Sequence, residues 1–104
     1  MHLMQETRYL CADLVVLRLN DAHSIVNLEE IWSCGAIVDS EVPFESGANV
    51  EIEGGEARFS AVITEVEEHE FGWRIELRFS PLTPWSADLF RPLHLFDPSS
   101  LKPK

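Results

Sequence analysis

The chain has few of the residues that would define a disulfide scaffold, a metal site or a membrane span. It holds two cysteines in 104 residues. Cys11 and Cys34 lie 23 positions apart with no C-x-x-C spacing, which argues against a redox motif or a zinc site. The expectation is two small reduced thiols, both buried. No apolar run approaches the roughly 20 residues that cross a bilayer, so membrane insertion is not expected. Met1–Glu6 carries no basic segment followed by an apolar one, so no signal peptide is expected and the cytoplasm is the assigned compartment. Basic residues are scarce as well, with 8 Lys and Arg against 18 Asp and Glu for a formal charge of −10. Between Glu29 and Glu76 thirteen acids face only Arg58 and Arg74. Such a field repels polyphosphate and excludes nucleic acid as a general partner, whereas a basic protein surface would suit it.

Catalytic signatures are absent too. There is no G-x-S-x-G, no P-loop, no dinucleotide fingerprint and no Cys/His constellation. His2, His23, His69 and His94 are scattered without the i, i+4 spacing of a metal pair. Glu67-Glu68-His69-Glu70 lacks the glycine-punctuated spacing of a calcium loop and reads as a solvated hairpin tip. Neither catalysis nor a resident metal or cofactor is expected.

What is present is strand periodicity. A hydrophobic fraction of 45% over 104 residues suits one globular domain with a single core. Tyr9–Leu19 reads as a strand that ends at Asn20-Asp21 and returns through Ser24–Leu28. Ala36-Ile37-Val38 follows the Gly35 turn, and Pro43–Gly47 supplies turn chemistry before the alternating Asn49–Glu53. Gly54-Gly55 is a hairpin signal. Ala57, Phe59, Ala61 and Ile63 then share one face, Glu67–Gly72 makes a loop, and Trp73, Ile75, Leu77 and Phe79 share a face beyond it. Val50, Ile52, Phe59, Ile63, Trp73, Ile75, Leu77 and Phe79 are the expected core. Arg74 and Arg78 are placed to pair with glutamates on the neighbouring strand.

After Pro81 the period changes. Thr83 can cap a helix with Pro84 at its first position, and Trp85, Leu89, Leu93, Phe90 and Phe96 recur at helical spacing up to a break at Pro92. The expectation is an all-β, six-stranded antiparallel barrel over residues 8–101, capped by a short C-terminal helix at about 84–96. Residues 1–7 form an arm and 102–104 a tail.

Glu30-Ile31-Trp32-Ser33-Cys34-Gly35, set between two strands and followed by a Pro/Gly turn and a third, resembles the centre of a PilZ domain, a bacterial receptor fold for cyclic di-GMP. The family pattern at that place is Asp/Asn-x-Ser-x-x-Gly; here Gly35 matches, Glu30 replaces the shorter acid and Trp32 stands at the serine position. Ligand-binding members carry a second pattern, Arg-x-x-x-Arg, in an N-terminal arm, because guanidinium groups bridge phosphates and the guanine edge bidentately. In this chain the window is Met4-Gln5-Glu6-Thr7-Arg8: Arg8 fills the second position, Met4 the first, and Glu6 lies between. The resemblance implies the barrel with its capping helix and a candidate nucleotide site at Arg8, Glu30, Trp32 and Gly35. Its departures imply a degenerate member that works as a protein–protein adaptor in bacterial regulation of motility, pili or envelope, with Trp32 and Arg8 as candidate contact residues. The alternative is a genuine cyclic di-GMP receptor using a rearranged site around Arg8 and Glu30–Gly35. Nothing in the sequence chooses an oligomeric state.

Overall fold

The computed structural model describes residues 7–101. Six strands alternate in the way the sequence requires: β1 (Tyr9–Leu19), β2 (Ala22–Trp32), β3 (Gly35–Ser40), β4 (Asn49–Gly54), β5 (Ala57–His69) and β6 (Gly72–Phe79). Every pairing is antiparallel, and the sheet closes on itself in the order β1-β2-β3-β6-β5-β4. Closure removes the free edges that an open six-stranded sheet would expose.

One side of each strand fills the barrel. Leu17, Leu28, Ile31, Val38, Ile63, Ile75 and Leu77 are almost inaccessible, and Val50, Ile52, Phe59 and Phe79 complete the expected core. Trp73 departs from expectation: it is half-buried, packing on the core where β6 leaves the β5–β6 turn. The Phe59 and Phe79 rings meet with centroids 5.3 Å apart.

Turns follow local chemistry. Asn20 takes φ 56 in the β1–β2 turn, a left-handed conformation that asparagine tolerates. Gly55 takes φ +59 between β4 and β5, so the β4–β5 turn is Gly55-Glu56 and Gly54 belongs to the strand, opposite Ala57. The expected Glu67–Gly72 loop is shorter: β5 runs through His69, which pairs with Gly72, leaving only Glu70 and Phe71 in the turn.

The expected helix at 84–96 does not form. This segment is irregular, and the one helical element among the described residues is a 3-10 turn at Pro98–Leu101. Pro92 removes a backbone donor and disfavours helical Arg91 before it, while His94 takes φ 60. Two turns of helix would be marginal in any case. The backbone instead bonds to β1: the Leu10 and Phe96 amides exchange bonds with each other's carbonyls at 2.8 Å, and Ala12 N donates to Leu93 O at 3.0 Å. Thr83, the expected cap, brackets Ser60, accepting from its amide and donating to its carbonyl.

That arrangement answers a need of the barrel. β4 pairs with β1 only from Val16 to Arg18, so the first half of β1 has an unmet edge on that side. Residues 93–96 occupy it. Trp85 is buried below, its ring edge-on to Tyr9 at 5.7 Å and its indole N–H donating to Phe90 O at 2.8 Å. Phe90 lies over Gly54, where an added Cβ would fall 2.4 Å from the ring. The apolar stripe therefore plugs the barrel end as an irregular strap, with Leu89 and Leu93 facing water rather than the core.

Candidate functional site

The β2–β3 hairpin turns at Ser33-Cys34, with Trp32 opposite Gly35. Gly35 is needed for space, not for a left-handed φ. A Cβ there would lie 2.4 Å from Leu77 O on β6 and 2.8 Å from the Trp32 ring. The turn is pinned by its own carbonyls, since Phe79 N donates to Cys34 O at 2.7 Å and Trp85 N to Ser33 O at 3.0 Å. The strap that closes the barrel end thus also fixes the turn.

Ile31 belongs to the core, so Trp32, next in the strand, projects to the opposite face. It is nevertheless only 6% exposed. The ring lies against Gly35, and the Arg8 guanidinium sits 3.8 Å from its centroid on the outside. Arg8 Nη1 reaches Glu30 Oε1 at 3.5 Å. The four residues that the sequence pattern singles out, Arg8, Glu30, Trp32 and Gly35, therefore form one stack on the outer wall of the barrel. A cation over an indole contributes about 0.5–1 kcal/mol at an exposed site, and a partly exposed ion pair less than that. Met4 and Glu6, the other residues of the arm pattern, lie outside the described residues.

Beside the stack an open groove of about 990 Å³ runs up the outer wall from Ser33 and Cys34, past Arg78 and Val62, to Asn49 and Arg18. Arg18 is not available at its far end. It forks onto Glu53, Nε to Oε2 at 2.9 Å and Nη2 to Oε1 at 3.3 Å. That hydrogen bond holds the Glu53 carboxyl below its ordinary value and raises the arginine above its own. Arg58 adds a contact to Glu53 at 3.4 Å. Arg74, expected to pair with an adjacent strand, reaches past β3 to Glu29 on β2 at 3.4 Å. Among the described residues, no buried side-chain polar atom lacks a hydrogen-bond partner.

The cysteines correct an expectation. They form no disulfide, but only Cys11 is partly buried, and Cys34 is exposed in the hairpin turn. The Cys11 thiol donates to Leu28 O at 3.7 Å, and burial, with Asp13, Glu30 and Glu29 nearby, pushes its pKa up to about 12. His69 is drawn into a local network instead of a metal site: its Nε2 lies 2.6 Å from Asp39 Oδ1, and its Nδ1 accepts from Phe71 N at 3.2 Å. No group of three or more His, Cys, Asp or Glu among the described residues converges on a common point. The Cys11–Leu28, Asp39–His69 and Arg18–Glu53 contacts join residues 17 or more apart, so no local pattern in the sequence encodes them. No helix among the described residues is long and apolar enough to cross a membrane.

Comparison of the chain with protein-family models, curated proteins and solved structures returned no match.

Proposed function

We propose that this chain is a PilZ-like barrel whose nucleotide site is filled by its own side chains and whose work is contact with a protein partner, as an adaptor in cytoplasmic bacterial regulation. The observation that carries this reading is the Gly35–Trp32–Arg8–Glu30 stack. The guanidinium that would meet a phosphate is already seated on an indole and tied to a carboxylate. Opening the stack to admit a dianionic ligand would break both contacts and bring phosphates toward Glu30. The partner is a basic protein surface. It answers the acidic arm formed by β5 and β6, where Glu65, Glu67, Glu68 and Glu70 lead up to a turn whose Phe71 is 82% exposed.

The groove beside the stack supports the second reading, a receptor with a rearranged site, because Arg78 lines it close to the Ser33-Cys34 turn. Calorimetric titration with cyclic di-GMP at physiological salt separates the two. The adaptor reading expects no binding tighter than about 10 μM, or roughly −7 kcal/mol. Submicromolar binding by the unaltered protein overturns it. If the stack is what blocks the ligand, replacing Trp32 by Ser together with Glu30 by Asp raises affinity above that of the unaltered chain.

A further inference from the structure

The outer face of β1 breaks the alternation that the other strands obey. Tyr9, Cys11, Val15 and Leu17 pack on or within the core, so Leu10, Ala12, Leu14 and Val16 face away from it, and all four are apolar. Leu14 is 70% exposed. Ile25, across from Val16 on β2, is 66% exposed. Leu93, whose carbonyl accepts from Ala12, extends the row on the strap side at 61%. On β5 and β6 the corresponding outward positions are Arg58, Ser60, Val62 and Thr64, and Arg74, Glu76 and Arg78. A sheet face exposed to water has no physical reason to carry four apolar residues in succession.

We propose that this face is the interface of a homodimer in which β1 of one copy packs across β1 of another about a two-fold axis near Leu14. Charge favours a second copy over a basic partner. Arg18 is matched with Glu53 at 2.9 Å and Arg8 with Glu30 at 3.5 Å. Asp13, within the strand, has its Oδ2 occupied by the Leu93 amide at 3.0 Å, so a basic surface would find few free carboxylates there, whereas a second copy presents the same apolar row. An isologous contact needs only this one self-complementary patch. Leu10, Leu14, Ile25 and Leu93 together offer roughly 400 Å² of apolar surface per copy, within the range of the largest patch on a typical monomer, which is often functional. With its polar rim that approaches the lower end of specific interfaces, at about 600 Å² per partner. The acids responsible for the net charge of −10 lie largely on the β5–β6 arm and the loops, so their repulsion opposes association only at long range.

Sedimentation equilibrium of the full chain tests this. A reversible dimer with a dissociation constant on the order of 10–100 μM is expected at physiological salt. Raising the ionic strength should tighten it, because salt screens the net repulsion and leaves the apolar contact. Leu14→Thr and Ile25→Thr keep strand-compatible side chains and should each weaken the dimer about tenfold, while Phe71→Ser leaves it unchanged. A monomer throughout the range up to about 1 mM overturns the proposal. So does a dimer that weakens with salt, one that both threonine variants leave intact, or one that the Phe71 variant abolishes. The salt series and the Phe71 variant stand even if a threonine variant fails to fold.

Discussion

At the base of the barrel, where β1 begins and β2 ends, aromatic side chains and backbone bonds from the strap seal the wall: Trp85 against Tyr9, Phe90 over Gly54, Phe96 paired with Leu10. At the top, where β3 ends and β4 begins, closure is left to a loop of residues 41–48 and two hairpin tips. Ser40 Oγ donates to Val42 O at 2.7 Å and accepts from Val42 N at 3.1 Å, and Phe44 packs on the core. A recess of about 660 Å³ nonetheless remains there, between Leu19, His23, Val42 and Phe44. The contrast separates two tasks. Stability is concentrated at the base, which also holds the Arg8–Trp32 stack, while the top and the arm above it are left for variation and contact.

The largest test of this asymmetry is Trp85→Ala. It should cost about 3–5 kcal/mol in denaturant unfolding, comparable to Leu77→Ala in the barrel interior at about 2–5 kcal/mol. Phe44→Ala at the top should cost clearly less, and equal costs would erase the distinction. Next in size is Gly54→Ala. A methyl there meets the Phe90 ring at 2.4 Å, so the strap must shift and about 1–3 kcal/mol is expected, measured the same way. Arg8→Ala should follow at about 0.5–1 kcal/mol, with an increase in Trp32 accessibility detectable by fluorescence quenching. Phe71→Ser at the arm should fall within about 0.5 kcal/mol of the unaltered chain.

The thiols sharpen the comparison chemically. Cys34 should react with a thiol reagent at once and Cys11 only on unfolding, giving two equivalents in denaturant. Above the unfolded thiol's ordinary value near pH 8.5 the unfolded chain loses its Cys11 proton while the folded chain keeps it up to about 12. Stability should therefore fall as pH rises through that window, and the slope should shrink in Cys11→Ala. Glu53 acts in the opposite sense at the acid end. Its carboxyl is held low by Arg18, so that contribution is present above the ordinary carboxylate value and is lost as pH falls through the folded one.

Strand periodicity made the barrel legible because a two-residue repeat with one wet face is a local signal, clearest in Asn49–Glu53 and Trp73–Phe79. The strap was misread for a related reason. Trp85, Leu89 and Leu93 do recur at helical spacing, but the unmet edge of β1 competes for the same backbone groups, and Pro92 tips the outcome. That edge arises from how far β4 extends, which no local pattern encodes. The four residues of the candidate site were found by pattern, yet their stacking depends on the short Trp32–Gly35 hairpin bringing the ring over a glycine. The apolar outer face of β1 was present in Tyr9–Leu19 all along: only Asp13 and Arg18 interrupt eleven residues, too few for a strand with one face in water.

The central claim is that an irregular strap completes the barrel, and native-state hydrogen exchange tests it most directly. If residues 85–96 are part of the cooperative structure, the amides of Leu10, Ala12, Trp85 and Phe96 should exchange only through global unfolding, with the same protection as Leu77 in β6. If those four exchange as fast as an unstructured peptide while Leu77 remains protected, the strap is not part of the barrel and the account fails.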